Sequence, residues 1–412
     1  MAVETVTFGC RLNTVESEAL RVHAGADGRD RVVVNTCAVT AEAGRQARKA
    51  IRRIARERPG AEIVVTGCGA EVETAAYAAM PEVARLVGNA EKLRPEGWSP
   101  TASGPGAVMA ARVAEPTRIA AVAGHTRAFV PVQNGCDHRC TFCIIPFGRG
   151  VSRSVPAADV IAQVATIVAQ GGREVVLTGV DLTAYGRDLT GPTLSLGGLA
   201  RAILTAVPDL ARLRLSSIDS VEADDALLAV IAEEERLMPH LHLSLQAGDD
   251  LILKRMKRRH SRADAIRFCE TVRQLRPDMV FGADLIAGFP TETEAQFARS
   301  LDLVAECGLT HLHVFPYSPR PGTPAARMPP VAPEAIRARA SRLRETGADA
   351  LRRHLDAQVG RRLTVLAERG GMGRSADFTA VRLAAEVAPG TFHRVVIAGH
   401  DGARLIGAQP QS

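Results

Sequence analysis

The chain of 412 residues reads as an α/β protein in three parts: an N-terminal doubly wound parallel-sheet domain, a central partial (β/α)6 barrel and a small C-terminal β-barrel. Three observations give that reading. Up to about residue 316, short apolar runs alternate with amphipathic stretches of helical length, the rhythm of strand-helix units around a parallel sheet. The rhythm lapses once, in a Pro- and Gly-rich stretch that divides two sheet domains. Towards the C-terminus, short strands split by glycine and proline replace it, the pattern of a small barrel. The expected domains span 1–105, 122–352 and 355–412.

In the first domain strands are expected at 3–8, 31–35 and 62–66, with helices near 15–24, 41–56 and 71–79. Each strand runs into a cysteine: Cys10 follows Phe8-Gly9, Cys37 follows Asn35-Thr36 and Cys68 follows Thr66-Gly67. The carboxyl ends of parallel strands share one sheet edge, where ligands bind. Cysteines recurring once per strand-helix unit therefore meet in space. A tight turn that favours a small residue would account for one of them; three in register predict a three-thiolate site.

Between about 91 and 127 the pattern weakens. Pro95, Gly97, Pro100, Gly104, Pro105 and Gly106 mark a linker, with a short strand or two expected before Phe129. Trp98, the only tryptophan, is expected to pack on a domain surface.

Strands of the second domain are expected at 129–132, 174–178, 212–216, 240–245, 280–286 and 311–315, with helices at 157–170, 224–235, 262–275 and 294–307. Six such units make a barrel open on one side, and chemistry collects at the carboxyl ends of its strands. The loop after the first strand carries Cys136, Cys140 and Cys143, at i, i+4 and i+7. A structural zinc site asks for four ligands, usually as two separated pairs. Three thiolates in one loop leave a position open, which suits an iron-sulfur cluster; the bland alternative is three buried cysteines or a zinc knuckle short of a ligand.

Other strand ends offer cofactor contacts. Phe142 directly precedes the third cysteine. Gly179, Gln246, Asp284 and Gly288 lie at or near the ends of the second, fourth and fifth strands, where glycine lets a backbone approach a ligand and Gln246 and Asp284 offer hydrogen bonds to an amino acid or ribose. His240, His242, His311 and His313 alternate along strands and are expected to line the barrel rather than bind metal. Cys269 and Cys307 are expected as small core residues.

A proline-rich crossing (Pro319, Pro321, Pro324, Pro329 and Pro330) leads to an Arg-rich helix at 333–358 and to short strands at 362–368, 376–383, 394–398 and 404–408. The net charge is +6 and the pI about 9.1, a modest excess that permits a nucleic-acid partner. Arginine dominates it, the only lysines being Lys49, Lys92, Lys254 and Lys257. Lys254, Arg255, Lys257, Arg258 and Arg259 form a basic run beyond the fourth barrel strand, a solvated face or an RNA contact. No leading signal peptide and no apolar run of membrane length is visible, so a reducing cytoplasm is expected, where thiols serve metals.

Gly9-Cys10-Arg11-Leu12-Asn13, Asn35-Thr36-Cys37, Thr66-Gly67-Cys68 and the Cys136 to Cys143 loop with Ile144-Ile145-Pro146 behind it together resemble the radical S-adenosylmethionine methylthiotransferases. Phe8-Gly9-Cys10-Arg11-Leu12-Asn13 and His313-Val314-Phe315-Pro316-Tyr317-Ser318 look closest to the MtaB branch of that family. The resemblance implies two 4Fe-4S clusters: Cys136, Cys140 and Cys143 hold the one that chelates S-adenosylmethionine, and Cys10, Cys37 and Cys68 hold an auxiliary one that carries sulfur. It implies a C-terminal barrel similar to the TRAM RNA-binding domain. It also implies conversion of N6-threonylcarbamoyladenosine at position 37, beside the tRNA anticodon, to its 2-methylthio derivative, with no acid-base residue assigned. Electron donor and sulfur source leave no mark in the sequence. Isopentenyladenosine in tRNA, an aspartate of a ribosomal protein, or a non-catalytic iron-sulfur RNA-binding role are the alternatives.

Overall fold

The computed structural model describes residues 3–25, 28–99, 102, 104–114, 126–191 and 193–408. The first domain runs β1 (Glu4–Thr7), α1 (Arg11–Ala24), β2 (Arg31–Thr36), α2 (Ala41–Glu57), β3 (Glu62–Gly67), α3 (Cys68–Val72), α4 (Thr74–Ala78) and β4 (Arg85–Leu86). Its four strands are parallel and lie in chain order. Valines fill β2 because both sheet faces are covered. Ala47, Ile51 and Ile54 of α2 pack on Val32, Val34, Ile63 and Val65, while Leu20 and Ala24 of α1 meet Val33 and Val64 on the other face with Trp98. The single helix expected at 71–79 is two short ones parted at Glu73, and the first begins at Cys68 itself. In the linker, two 3-10 turns at Pro95–Trp98 and Ala107–Met109 take the place of the expected strands among the described residues; 115–125 lie outside them. Trp98 is buried, its Nε1 donating to the Lys92 carbonyl at 2.9 Å.

The second domain runs β5 (Ala128–Pro131), β6 (Gln133–Asn134), α5 (Ile145–Arg149), β7 (Arg153–Ser154), α6 (Ala157–Ala169), β8 (Glu174–Thr178), α7 (Leu196–Ala206), β9 (Arg212–Leu215), β10 (Ser217–Ile218), α8 (Asp225–Glu233), β11 (His240–Gln246), α9 (Asp250–Arg255), α10 (Arg262–Leu275), β12 (Val280–Ala287), α11 (Glu294–Glu306) and β13 (Leu309–Pro316). Parallel sheets β5-β8-β9 and β10-β11-β12-β13 are joined through Ser216, the one residue between β9 and β10. The result is a six-position arc with β5 and β13 at its open edges. α7 was not legible from the sequence because Gly197 and Gly198 interrupt its apolar pattern. A Cβ on Gly197 would sit 2.2 Å from the Leu227 nitrogen, so that glycine is what lets α7 lie against α8.

The tail comprises α12 (Pro333–Asp356), β14 (Arg362–Ala367), β15 (Met372–Arg374), β16 (Ala380–Arg382), β17 (Phe392–His400) and β18 (Leu405–Gly407), the strands closing a barrel in the order β14-β15-β16-β18-β17. The strand expected at 376–383 is a hairpin instead, β15 and β16 flanking the loop at 375–379. That loop closes the amino end of the large barrel. Arg212 donates to the Arg374 and Thr364 carbonyls, Arg214 to those of Ala376 and Ser375, and His240 stacks on Phe378 with centroids 5.2 Å apart. The first domain docks through a buried ionic knot: Glu16 of α1 receives Arg149 at 2.9 Å and Lys92 at 2.6 Å.

Candidate metal centres

Cys10, Cys37 and Cys68 follow the carboxyl ends of three adjacent parallel strands, as the strand-cysteine register predicts. Glycines set the approach. Gly9 has φ +100°, and a Cβ there would lie 2.8 Å from the Cys37 sulfur; Gly67 has φ +93°, and its Cβ would strike the Thr36 carbonyl at 2.4 Å. Only glycine tolerates both the turn and the contact. Asn13 pins the edge, donating to the carbonyls of Phe8 and Thr36. Burial pushes the Cys37 thiol up to about 11, against the Val39 N–H that favours its thiolate, and the neighbouring Cys68 and Cys10 push it the same way as burial.

The second trio sits in the loop after β5, at the barrel mouth. Gly135 (φ +73°) turns the chain where any Cβ would fall 1.9 Å from the Val151 carbonyl oxygen. The Cys136 N–H donates to Gly150 O at 3.0 Å and Thr141 bonds to the carbonyls of Met256 and Arg255. Cys136 Sγ lies 3.5 Å from Asp181 Oδ2, and Arg258 Nη1 reaches Cys140 Sγ at 3.7 Å. Cys143 is pushed up to about 11 by burial, with Cys140 and, across the domain boundary, Cys68 adding to it.

The two trios adjoin. Cys68 packs with Ala38 and with Ile144, the residue after Cys143. A Cβ on Gly148 would lie 3.0 Å from that of Cys68, and Asn89 spans the seam from Gly148 O at 2.5 Å to Cys68 Sγ at 3.7 Å. Each trio offers three soft sulfur donors, the set that thiophilic clusters take. His138 stands 2.9 Å from Asp181 Oδ2, and its hydrogen bonds to Asp181 and Glu222 raise it to about 9. Its Nε2 faces these carboxylates from within the cysteine loop.

Gly179, Gln246 and Gly288 stand at strand ends around this mouth. A Cβ on Gly179 would press to 3.0 Å on Gln133 Oε1, the acceptor for the Val180 and Asp181 N–H groups. Gln246 takes φ +70°, a costly backbone for a residue with a side chain. Gly288 would meet Ile336 of α12 at 2.6 Å, so close packing already accounts for its glycine. Phe142 lies edge-on to Phe289, centroids 6.4 Å apart. Asp284 lies deeper in the wall, where His242 and His313 contact it at 2.8 and 3.1 Å.

In the basic run, Lys254, Lys257 and Arg259 are exposed. Arg259 nevertheless pairs with Glu222 and Asp219. The Arg258 side chain is 7% exposed, held by Asp219 and the Ser244 carbonyl, and Arg255 donates to Thr291 Oγ1. Sequence reasoning missed the place of Arg258 beside a cysteine, and the roles of His138, Asp181 and Asn13. Asn13 and His138 lie inside the motif segments already singled out and Asp181 two residues after Gly179, while Arg258 is marked only by its membership of a charged run.

A parallel barrel arc with three cysteines in the loop after its first strand defines a radical S-adenosylmethionine enzyme, and residues 130–304 match the Radical SAM superfamily. The structure of the radical S-adenosylmethionine methyltransferase TsrM from Kitasatospora setae shares the fold, with TM-score 0.53 and 17% identity, over 79% of this chain and 77% of that one. Residues 2–88 match the uncharacterized protein family UPF0004. The chain is 46% identical to the threonylcarbamoyladenosine tRNA methylthiotransferase MtaB of Rickettsia prowazekii, covering 96% of this chain and 94% of the relative. It is 36% identical to that of Thermotoga maritima over 89% and 86%, and 37% identical to the tRNA-2-methylthio-N(6)-dimethylallyladenosine synthase of Novosphingobium aromaticivorans over 89% and 86%. The chain belongs to the radical S-adenosylmethionine methylthiotransferase family and is an enzyme of that class, which works with S-adenosylmethionine and a 4Fe-4S cluster.

Proposed function

We propose that this enzyme converts N6-threonylcarbamoyladenosine at position 37 of tRNA to its 2-methylthio derivative, using two 4Fe-4S clusters, one on Cys136, Cys140 and Cys143 and one on Cys10, Cys37 and Cys68. The observation that carries this reading is the juxtaposition of the trios, Cys68 lying against Ile144 beside Cys143. When bound, the clusters and S-adenosylmethionine supply a carbon radical and the sulfur that an unreactive aromatic C–H bond requires. The chain supplies position and shelter. Gly9, Gly67 and Gly135 admit close approach, Phe142 with Phe289 walls the mouth against water, and Asp181 and Gln133 fix the loop end opposite Cys136.

The parts at 1–105, 122–352 and 355–412 serve in turn as auxiliary-cluster domain, radical core and TRAM-like RNA-binding barrel. Gly179, Gln246 and Gly288 face the cofactor from the strand ends, and Asp284 does so from within β12. Of the basic run, Lys254 and Lys257 meet the RNA backbone, while Arg255, Arg258 and Arg259 act chiefly through the partners they hold. A base in an anticodon loop suits such a mouth because RNA readers take unstacked, single-stranded bases. The threonylcarbamoyl substrate is supported by the names of the relatives from Rickettsia prowazekii and Thermotoga maritima. A dimethylallyladenosine substrate is the second reading, favoured by the relative from Novosphingobium aromaticivorans. Nucleoside mass spectrometry of tRNA from a strain lacking this chain decides between them. Disappearance of 2-methylthio-threonylcarbamoyladenosine, restored by the gene, is expected; its persistence overturns the proposal, and loss of the dimethylallyl product instead selects the second reading.

A further inference from the structure

Below the mouth, the large barrel encloses a cavity of about 260 Å³. Four of its lining residues are arginines, Arg11, Arg127, Arg214 and Arg374, and another four are histidines, His240, His242, His311 and His313; none of the lining residues is acidic. The charges come from three parts of the chain. Arg11 belongs to the first domain and directly follows Cys10, Arg214 belongs to β9, and Arg374 belongs to the C-terminal barrel. They gather around one ring: the guanidinium carbons of Arg11, Arg127, Arg214 and Arg374 lie 5.9, 5.3, 5.0 and 4.6 Å from the centroid of Phe378. Phe378 takes φ +72°, a conformation that costs a bulky side chain energy and persists only where its surroundings impose it.

The neutralising acids lie behind this surface and do not cover all of it. Glu174 takes Arg127 and Arg214, Glu368 takes Arg127, and Asp284 takes His242 and His313. Arg11 has no carboxylate within ion-pair distance among the described residues; its guanidinium rests over Phe129 and Phe378. The Nε2 atoms of His240 and His311 are buried without a hydrogen-bond partner among the described residues, although His240 is only 9% exposed. A buried guanidinium beside unpaired imidazole nitrogens is costly unless a polar group meets them. The cavity is reachable, since the His313 side chain is 59% exposed.

We infer that this cavity receives the carboxylate of the N6 substituent of the substrate adenosine, with Arg11 as its principal partner and the histidines as further donors. The inference rests on the threonylcarbamoyl reading above and deepens it. A threonylcarbamoyl group has a free carboxylate and a hydroxyl, and its roughly ten non-hydrogen atoms fit a space of this size at ordinary packing density. A dimethylallyl group offers only apolar surface and would leave Arg11 and the Nε2 atoms of His240 and His311 without polar partners, a mismatch that excludes such a ligand far more strongly than a change of shape would. The position of Arg11 next to Cys10 connects recognition of the substituent to placement of the base beside the sulfur-bearing trio.

The test compares anticodon stem-loops that carry adenosine, threonylcarbamoyladenosine or the methyl ester of threonylcarbamoyladenosine at position 37, bound to the holoenzyme at fixed salt. The acid is expected to bind at least about tenfold tighter than its ester, the scale of a charge-assisted pair. Arg11→Gln and, independently, the exposed His313→Gln are expected to shrink that ratio without changing affinity for the unmodified loop. Equal affinity for acid and ester overturns the inference, and so does a ratio unchanged in both variants. S-adenosylmethionine carries a carboxylate too, so it is titrated alone. Affinity unchanged by Arg11→Gln is expected; loss of it with the acid-to-ester ratio intact assigns the cavity to the methionyl carboxylate and overturns the inference. Turnover separates the two failures: if acid and ester are methylthiolated with equal KM, the inference fails while the proposed function stands, and if neither is methylthiolated, the proposed function fails.

Discussion

Burial holds the Cys37 and Cys143 thiols near 11, so each stays protonated in neutral water and cluster binding has to displace the proton. Cysteines of the two trios should then separate by function. Cys37→Ala is expected to lose about half of the bound iron and all sulfur insertion, yet to keep reductive cleavage of S-adenosylmethionine; Cys140→Ala should lose both activities. Iron analysis and product assays on anaerobic protein check this, and full methylthiolation by Cys37→Ala would refute the auxiliary site. Arg258 places a cation 3.7 Å from Cys140 Sγ. Removing a positive charge beside a cluster disfavours the added electron. Arg258→Gln is therefore expected to shift the reduction potential of that cluster to more negative values in a spectroscopic redox titration.

At the scale of elements, α9 and the turn after it are divided between two tasks. Arg258 and Arg259 face the Asp219 and Glu222 carboxylates beside the cysteine loop, whereas Lys254 and Lys257 face solvent. Phosphate contacts are read in salt dependence, each adding roughly 0.7 to the slope on single-stranded nucleic acid. Replacing Lys254 and Lys257 together by glutamine should reduce the slope of tRNA binding against salt by between about one and two. An unchanged slope would make this segment a solvated face. The hairpin of β15 and β16 shows a similar division, since the strands close the small barrel while their loop, with Phe378, seals the large one.

On the scale of the molecule, the seam between the trios is only as firm as the docking of the first domain, and Glu16 is central to it. Burial alone would raise its carboxyl, but Arg149 and Lys92 outweigh burial and hold it at about 2. A depressed carboxyl contributes stability that is complete above its ordinary value near 4.5 and is lost as the pH falls from there towards 2. Thermal unfolding followed across that window should show the domain seam weakening. Glu16→Gln strands two buried cations, which costs about 3–5 kcal/mol. At neutral pH it should lower the melting temperature and open the seam to limited proteolysis, while a double change of Glu16 and Lys92 should recover part of the loss.

The sequence by itself determined most of the elements and the spacing of the six cysteines. Strand and helix periods are local, so β8 and α10 fall on the expected residues. Sulfurs at fixed spacing, or once per strand-helix unit, announce a site before any coordinate is known. Only the tertiary structure decided that the trios adjoin through Cys68 and Ile144, that Arg258 turns inward from a basic run, and that arginines from three domains surround Phe378. Contacts of this kind join residues far apart along the chain, and packing between domains, which no local period encodes, selects them.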